Sequence, residues 1–204
     1  MDVSRSTVLG ELGTSKAAAR IRAAAIEVFA AKGYGAAGTR EIAASIGLSP
    51  GAVYPHYKTK EALLYAISLE GHADVLDTVT AADHAGTSAT ERLMSTVHAY
   101  VGWHAEHHAG ARVAQYELRS LSPEHFAVIA EIRRSTSRVF SEIIETGSAA
   151  GEFDPVDVGV ATLAITSLGV DVSRWFPSMK FSDADVIAAG YVELALRMVG
   201  ARKP

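Results

Sequence analysis

Eight side chains between residues 39 and 60 are the candidates to offer a hydrogen-bond donor or a positive charge to an anion: Thr39, Arg40, Ser49, Tyr54, His56, Lys58, Thr59 and Lys60. Hydroxyl, guanidinium, imidazole and ammonium groups are what hold phosphate oxygens along a nucleic-acid backbone. Interleaved with them are Pro50, Gly51, Ala52 and Pro55, whose side chains have no polar atom. Ala52 and Pro55 suit contact with a thymine methyl. None of the four can make the two-pronged bonds by which Arg or Asn identifies a base. The implied chemistry is backbone positioning with thin direct base reading, which leaves much of any specificity to DNA shape.

These residues need two short helices with a tight turn between them. Ile42 and Ile46 lie four apart on one face of the first, and Gly47 follows where a helix end calls for positive φ. Leu48 plugs the turn. Ser49 is an N-cap, and Pro50 at the first helical position needs no N–H. A second short helix, 51–57, carries Val53, Tyr54, His56 and Tyr57. That geometry is the helix-turn-helix, whose second helix enters a major groove. Pro55 removes the bond toward Gly51, so this helix is predicted to be kinked or partly 3₁₀. Tyr54 is read as a DNA contact and Tyr57 as core.

Upstream, Ile21, Ala25, Val28 and Phe29 recur at helical spacing within a helix predicted over 16–33, with Ser15 as its cap and Gly33 as its stop. Lys16, Arg20 and Arg22 lie near its start, facing either phosphate or solvent. The run Phe29-Ala30-Ala31-Lys32-Gly33-Tyr34, then Arg40-Glu41-Ile42-Ala43, Gly47-Leu48-Ser49, Gly51-Ala52-Val53-Tyr54-x-His56-Tyr57 and Lys58-Thr59-Lys60-Glu61-Ala62-Leu63-Leu64 resembles the TetR family of bacterial transcriptional repressors. The likeness covers residues 16–64. It departs at Gly38, where the family usually has Ser or Thr, and at Pro55.

The resemblance implies an all-α fold of about nine helices. It implies a mobile arm over 1–15 (with Arg5 either at DNA or in a solvated tail), a DNA-binding head over 16–62 and a ligand-binding and dimerisation body over 63–204. It places Tyr54 and His56 where the family commonly touches backbone. It also implies a homodimer on palindromic operator DNA, released by a small apolar effector, and a helix from Lys60 to about Ala82 that links head to body.

Composition is compatible with this. The 204 residues carry net charge −4, which by itself argues against a nucleic-acid partner. Residues 1–60, however, hold 8 Lys/Arg against 4 Asp/Glu, while 61–204 hold 11 against 19. The phosphate-seeking charge therefore sits with the helix-turn-helix. Cysteine is absent, which excludes disulfide and thiol chemistry and fits a cytoplasmic protein. No apolar run is long enough for a membrane span, and the N-terminus lacks a signal core.

The rest reads as helices near 89–108, 111–120, 124–149, 155–176 and 183–200, broken at Gly110, Ser122-Pro123, Gly151–Pro155 and Pro177–Ser182. The last two are apolar nearly all round and rich in small residues, as expected of a dimer surface. Tyr100, Trp103, His104, His107, Tyr116, Phe126, Arg133, Asp171, Arg174 and Trp175 mix aromatic and polar groups as a ligand site does.

The stretch Gly169 to Pro177 resembles the ending of the corresponding helix in TetR regulators that sense acyl-CoA thioesters. There Arg174 would meet a CoA phosphate and Trp175 would stack on adenine; equally, Arg174 suits a surface ion pair and Trp175 the dimer edge. His98, His104, His107 and His108 include an i, i+4 pair, but no HExxH motif or nearby cysteine supports a metal site. No cofactor motif, phosphate loop or nucleophile elbow points to an enzyme. The alternative reading is a helical ligand-binding or protein-interaction module with a degenerate head.

Overall fold

The computed structural model describes residues 15–201. Of the expected arm over 1–15, residues 1–14, with Arg5, lie outside the described residues, and Ser15 caps α1. Eight α-helices are present among them, with two short 3₁₀ segments and no strand: α1 Lys16–Lys32, α2 Thr39–Ser45, a 3₁₀ helix Pro50–Val53, α3 Lys60–Asp83, α4 Ala89–Glu106, α5 His108–Tyr116, a 3₁₀ turn Leu118–Ser120, α6 Pro123–Ala149, α7 Val158–Trp175 and α8 Ala184–Met198.

Local chemistry accounts for most helix ends. The Ser15 hydroxyl accepts the Ala18 N–H at 3.1 Å, and Gly33, with φ 78°, donates its N–H to Phe29 to close α1. Thr59 Oγ1 accepts from the Ala62 N–H at 2.9 Å at the head of α3. Ser88 and Glu91 form a reciprocal capping box on α4. The Asp157 and Asp183 carboxylates cap α7 and α8. The expected break at Gly110 falls instead at His107, and Gly110 lies inside α5. A Cβ there would stand 3.4 Å from Ile26 Cδ1, an ordinary van der Waals contact, so this glycine neither ends a helix nor is required by the packing.

Packing divides the chain into two units. Among the described residues, the first comprises 15–74 together with 109–132, and the second comprises 75–108 with 133–201. This packing division lies elsewhere than the 62/63 boundary read from the sequence motif. In the first unit, Ile21, Ala25, Phe29, Ile42, Val53, Leu63 and Leu64 are buried. α1 packs on α2, and α2 packs on the 3₁₀ helix. In the second, α4 packs chiefly on α8 and also on α7. Its core centres on Leu93, Tyr100, Phe140, Ile143 and Ile144.

Candidate functional site

In the first unit, the turn that carries the donor-rich run has Gly47 at φ 71° and Ser49 as a cap with no side-chain bond. The segment Pro50–Val53 is 3₁₀, and the single turn after it closes by bonds from the His56 and Tyr57 N–H groups to the Val53 carbonyl, at 3.0 and 2.9 Å. Pro55 thus sits where a regular α-helix does not continue, as its missing N–H predicts.

Arg40, Ser49, Pro50, Gly51, Tyr54, Pro55, His56, Lys58 and Thr59 are all exposed, with Tyr54 at 51%. Thr39 and Ala52 are half-buried. His56 Nδ1 lies 3.5 Å from Ser15 Oγ. The result is a polar surface around a short apolar tip, suited to phosphate oxygens around a groove.

Two basic residues of this unit serve the fold. Lys60 Nζ donates to the carbonyls of Tyr34 at 2.8 Å and Ala37 at 3.0 Å, and lies 4.3 Å from the Tyr34 ring centroid. The Lys60 ammonium, expected at phosphate, is held in this structure by the α1–α2 loop.

Arg22 is buried at 7% exposure. Its guanidinium forks onto Glu70, with Nε at 2.7 Å and Nη2 at 3.0 Å, and Nη1 donates to the Tyr57 hydroxyl at 2.7 Å. Tyr57 is core, at 5% exposure. Burial pushes its phenol above the ordinary tyrosine range, and Arg22 pulls it back. Glu70 lies 48 residues from Arg22, so no local spacing announced the pair.

In the second unit, Tyr100 and His104 are buried one turn apart on α4. The Tyr100 ring meets His104 edge-on at 4.5 Å and Phe140 at 5.2 Å, and its hydroxyl donates to the Thr166 carbonyl at 3.3 Å. Trp103 stacks on the exposed His107 at 4.6 Å.

His104 Nδ1 faces the Tyr100 carbonyl at 2.8 Å, so it must carry the proton there, which leaves Nε2 as an acceptor in the neutral ring. Burial holds this imidazole down to about 4, against the opposing pull of the Tyr100 carbonyl and with help from Arg133 and His107. Burial likewise raises the Tyr100 phenol, with Arg133 opposing. One turn before Tyr100, the Thr96 hydroxyl is buried without a hydrogen-bond partner. Thr96, Tyr100 and His104 thus set three polar groups a turn apart on α4 within an apolar core.

The other expected ligand residues have different surroundings. Tyr116 and Phe126 fall in the first unit, and both are exposed. Arg174 forks onto Asp171 at 2.7 and 2.8 Å on the surface, the ion-pair alternative read from the sequence. Trp175 is half-buried against Phe176 and Phe181. Among the described residues, no group of three His, Cys, Asp or Glu side chains could hold a metal ion. His104, His107 and His108 each direct Nδ1 at a helix carbonyl. No helix among the described residues is long and apolar enough to cross a membrane.

Comparison with known proteins agrees with this geometry. Residues 21–67 match the family model of bacterial regulatory proteins, tetR family, and residues 86–199 that of the tetracyclin repressor-like C-terminal domain. A solved bacterial regulatory protein in the tetR family from Rhodococcus RHA1 is 73% identical, with a TM-score of 0.90 over 93% of this chain and all of that one. The transcriptional repressor KstR2 of Rhodococcus jostii is 26% identical over 84% of this chain and 85% of its own length. The regulator FadR of Bacillus subtilis, solved in complex with stearoyl-CoA, is 25% identical, with a TM-score of 0.71 over 89% of this chain and 98% of that one.

Proposed function

This chain belongs to the TetR family of bacterial regulatory proteins, and we propose that it is a cytoplasmic repressor that binds palindromic operator DNA as a homodimer and is released by a small apolar effector. The observation that carries the reading is the exposed donor surface of Arg40, Tyr54, His56, Lys58 and Thr59 around the 3₁₀ tip Pro50–Val53. Residues 16–62 act as the head and 63–204 as the ligand-binding and dimerisation body. Two heads enter successive major grooves, about 34 Å or slightly more apart.

The dimer forms through α7 and α8, which leave Val160, Leu163, Leu168, Val186 and Leu194 exposed, at 41–66%. The effector lies against Tyr100, Trp103, His104 and Arg133, and the unpartnered Thr96 hydroxyl, one turn before Tyr100 on α4, favours a ligand with a polar end. An acyl-CoA is the first candidate, since a relative holds stearoyl-CoA. Release needs an effector that binds the two states of the head differently, with a coupling of about 1–3 kcal/mol.

Fluorescence-anisotropy titration against the DNA upstream of the chain's own gene, at several salt concentrations, tests the reading. Saturable, palindrome-dependent binding with a steep salt slope supports it, and stearoyl-CoA then weakens that binding. Weak, sequence-blind binding to this DNA and to a randomised library overturns it. Lys58→Ala weakens binding to all sequences and lowers the salt slope by about one per protomer. An unchanged slope removes Lys58 from the phosphate contacts.

A further inference from the structure

The tip of the recognition turn is poor in hydrogen-bond donors, in its backbone as well as in its side chains. No Arg, Lys, Asn or Gln lies between Ser49 and Tyr57. Pro50, Gly51 and Pro55 are exposed and Ala52 is half-buried, and none of the four has a polar side-chain atom. Ser49, Tyr54 and His56 stand exposed beside them, and none of these carries the paired groups that identify a base in a two-pronged bond. Pro50 and Pro55 also lack an N–H. The Ala52 N–H is spent on the Ser49 carbonyl at 3.0 Å, and the His56 and Tyr57 N–H groups on that of Val53 at 3.0 and 2.9 Å.

Gly51 answers no need of the fold. Its φ lies outside the left-handed region, and a Cβ there meets nothing within 4 Å. A glycine inside a helical segment costs stability relative to alanine. The bare Cα therefore gives up stability and leaves clearance on the outside of the chain. In the major groove a base pair presents donors, acceptors and, at thymine, one apolar group, the C5 methyl. A tip without paired donors has that methyl as its direct contact.

We propose that the recognition turn identifies its operator by thymine 5-methyl groups, packed against Ala52 and Pro55 and admitted by the bare Cα of Gly51. The exposed donors around the tip supply phosphate attraction that is blind to sequence. The proposal rests on the repressor reading and adds the base chemistry of the operator. Burying one methyl is worth about a fourfold change in affinity, so one methyl read by each of two heads gives about fifteenfold.

The test uses the full chain and a duplex selected from a randomised library, resynthesised with uracil in place of every thymine. The exchange removes the methyls and keeps every hydrogen-bonding group. Binding is expected to fall about tenfold or more with an unchanged salt slope, and a scrambled duplex treated likewise is expected to show no fall. Pro55→Ala separates contact from DNA shape: it weakens binding to the thymine duplex about fourfold and leaves binding to the uracil duplex unaffected. Gly51→Ala is expected to melt no lower than the native chain and to weaken binding to the thymine duplex more than to the uracil one. Equal affinity for the two duplexes overturns the proposal. Equal losses on both duplexes from Pro55→Ala overturn it as well, since they assign the uracil effect to DNA shape. Should Pro55→Ala melt lower, Gly51→Ala decides by the same rule. A library that yields no preferred duplex refutes the repressor reading and the proposal together, whereas a preferred duplex indifferent to uracil refutes the methyl contact alone.

Discussion

The head and the body use the same kinds of polar residue in opposite ways. In the head, Arg40, Tyr54, His56 and Lys58 stand exposed, available to a partner. In the body, Tyr100 and His104 are buried, and their polar atoms are turned onto helix carbonyls. An exposed donor has a hydrated alternative and adds little to stability, so it is free to serve recognition. A buried one must be satisfied or neutral, so its chemistry is tied to the fold. Arg22 and Lys60 cross that division, being basic residues of the head that are spent internally.

The largest test of the contrast is acid. An unfolded histidine titrates near 6.5, whereas His104 is held down to about 4. Between those values the unfolded chain takes up a proton that the folded chain refuses. The contribution is present above pH 6.5 and is lost as pH falls toward 4, about 3 kcal/mol in all. Chemical denaturation across this range should therefore show a steeper loss in the native chain than in His104→Gln. Parallel curves would mean that His104 is reached by water.

A smaller effect probes the exception in the head. Arg22→Ala should lower unfolding free energy by about 2 kcal/mol, since Glu70 is partly hydrated but the Tyr57 hydroxyl loses its donor. It should leave the salt slope of DNA binding unchanged, and a reduced slope would return Arg22 to the phosphate surface. The smallest effect is at the surface. Gly38 caps α2 without a side-chain bond, and a Cβ there meets nothing within 4 Å. Gly38→Ser should raise the unfolding free energy by about 0.3 kcal/mol, and a lower midpoint would show that the hydroxyl finds no N–H.

Much of the head was legible because its signals are local. The Ser15 cap, the Gly33 stop, the positive φ of Gly47 and the interruption at Pro55 each depend on a residue and its neighbours within a turn. The donors of the recognition run are consecutive, so their shared surface needs no long-range information. Tyr116 and Phe126 were grouped with the body by composition, although packing assigns them to the first unit. Composition names residue types, not neighbours. The Gly110 break was misplaced because a glycine inside a helix looks the same in sequence as one that ends it.

By itself the sequence determined the helical class, the caps, the helix-turn-helix and the charge asymmetry, since propensity, periodicity and capping act over a few residues. Only the tertiary structure decided that Arg22 meets Glu70 48 positions away, that Glu61 meets His125 64 positions away, and that His104 is neutral in an apolar interior. Those outcomes depend on which helix faces meet, and so on desolvation and pairing between distant segments, which no short window of residues contains.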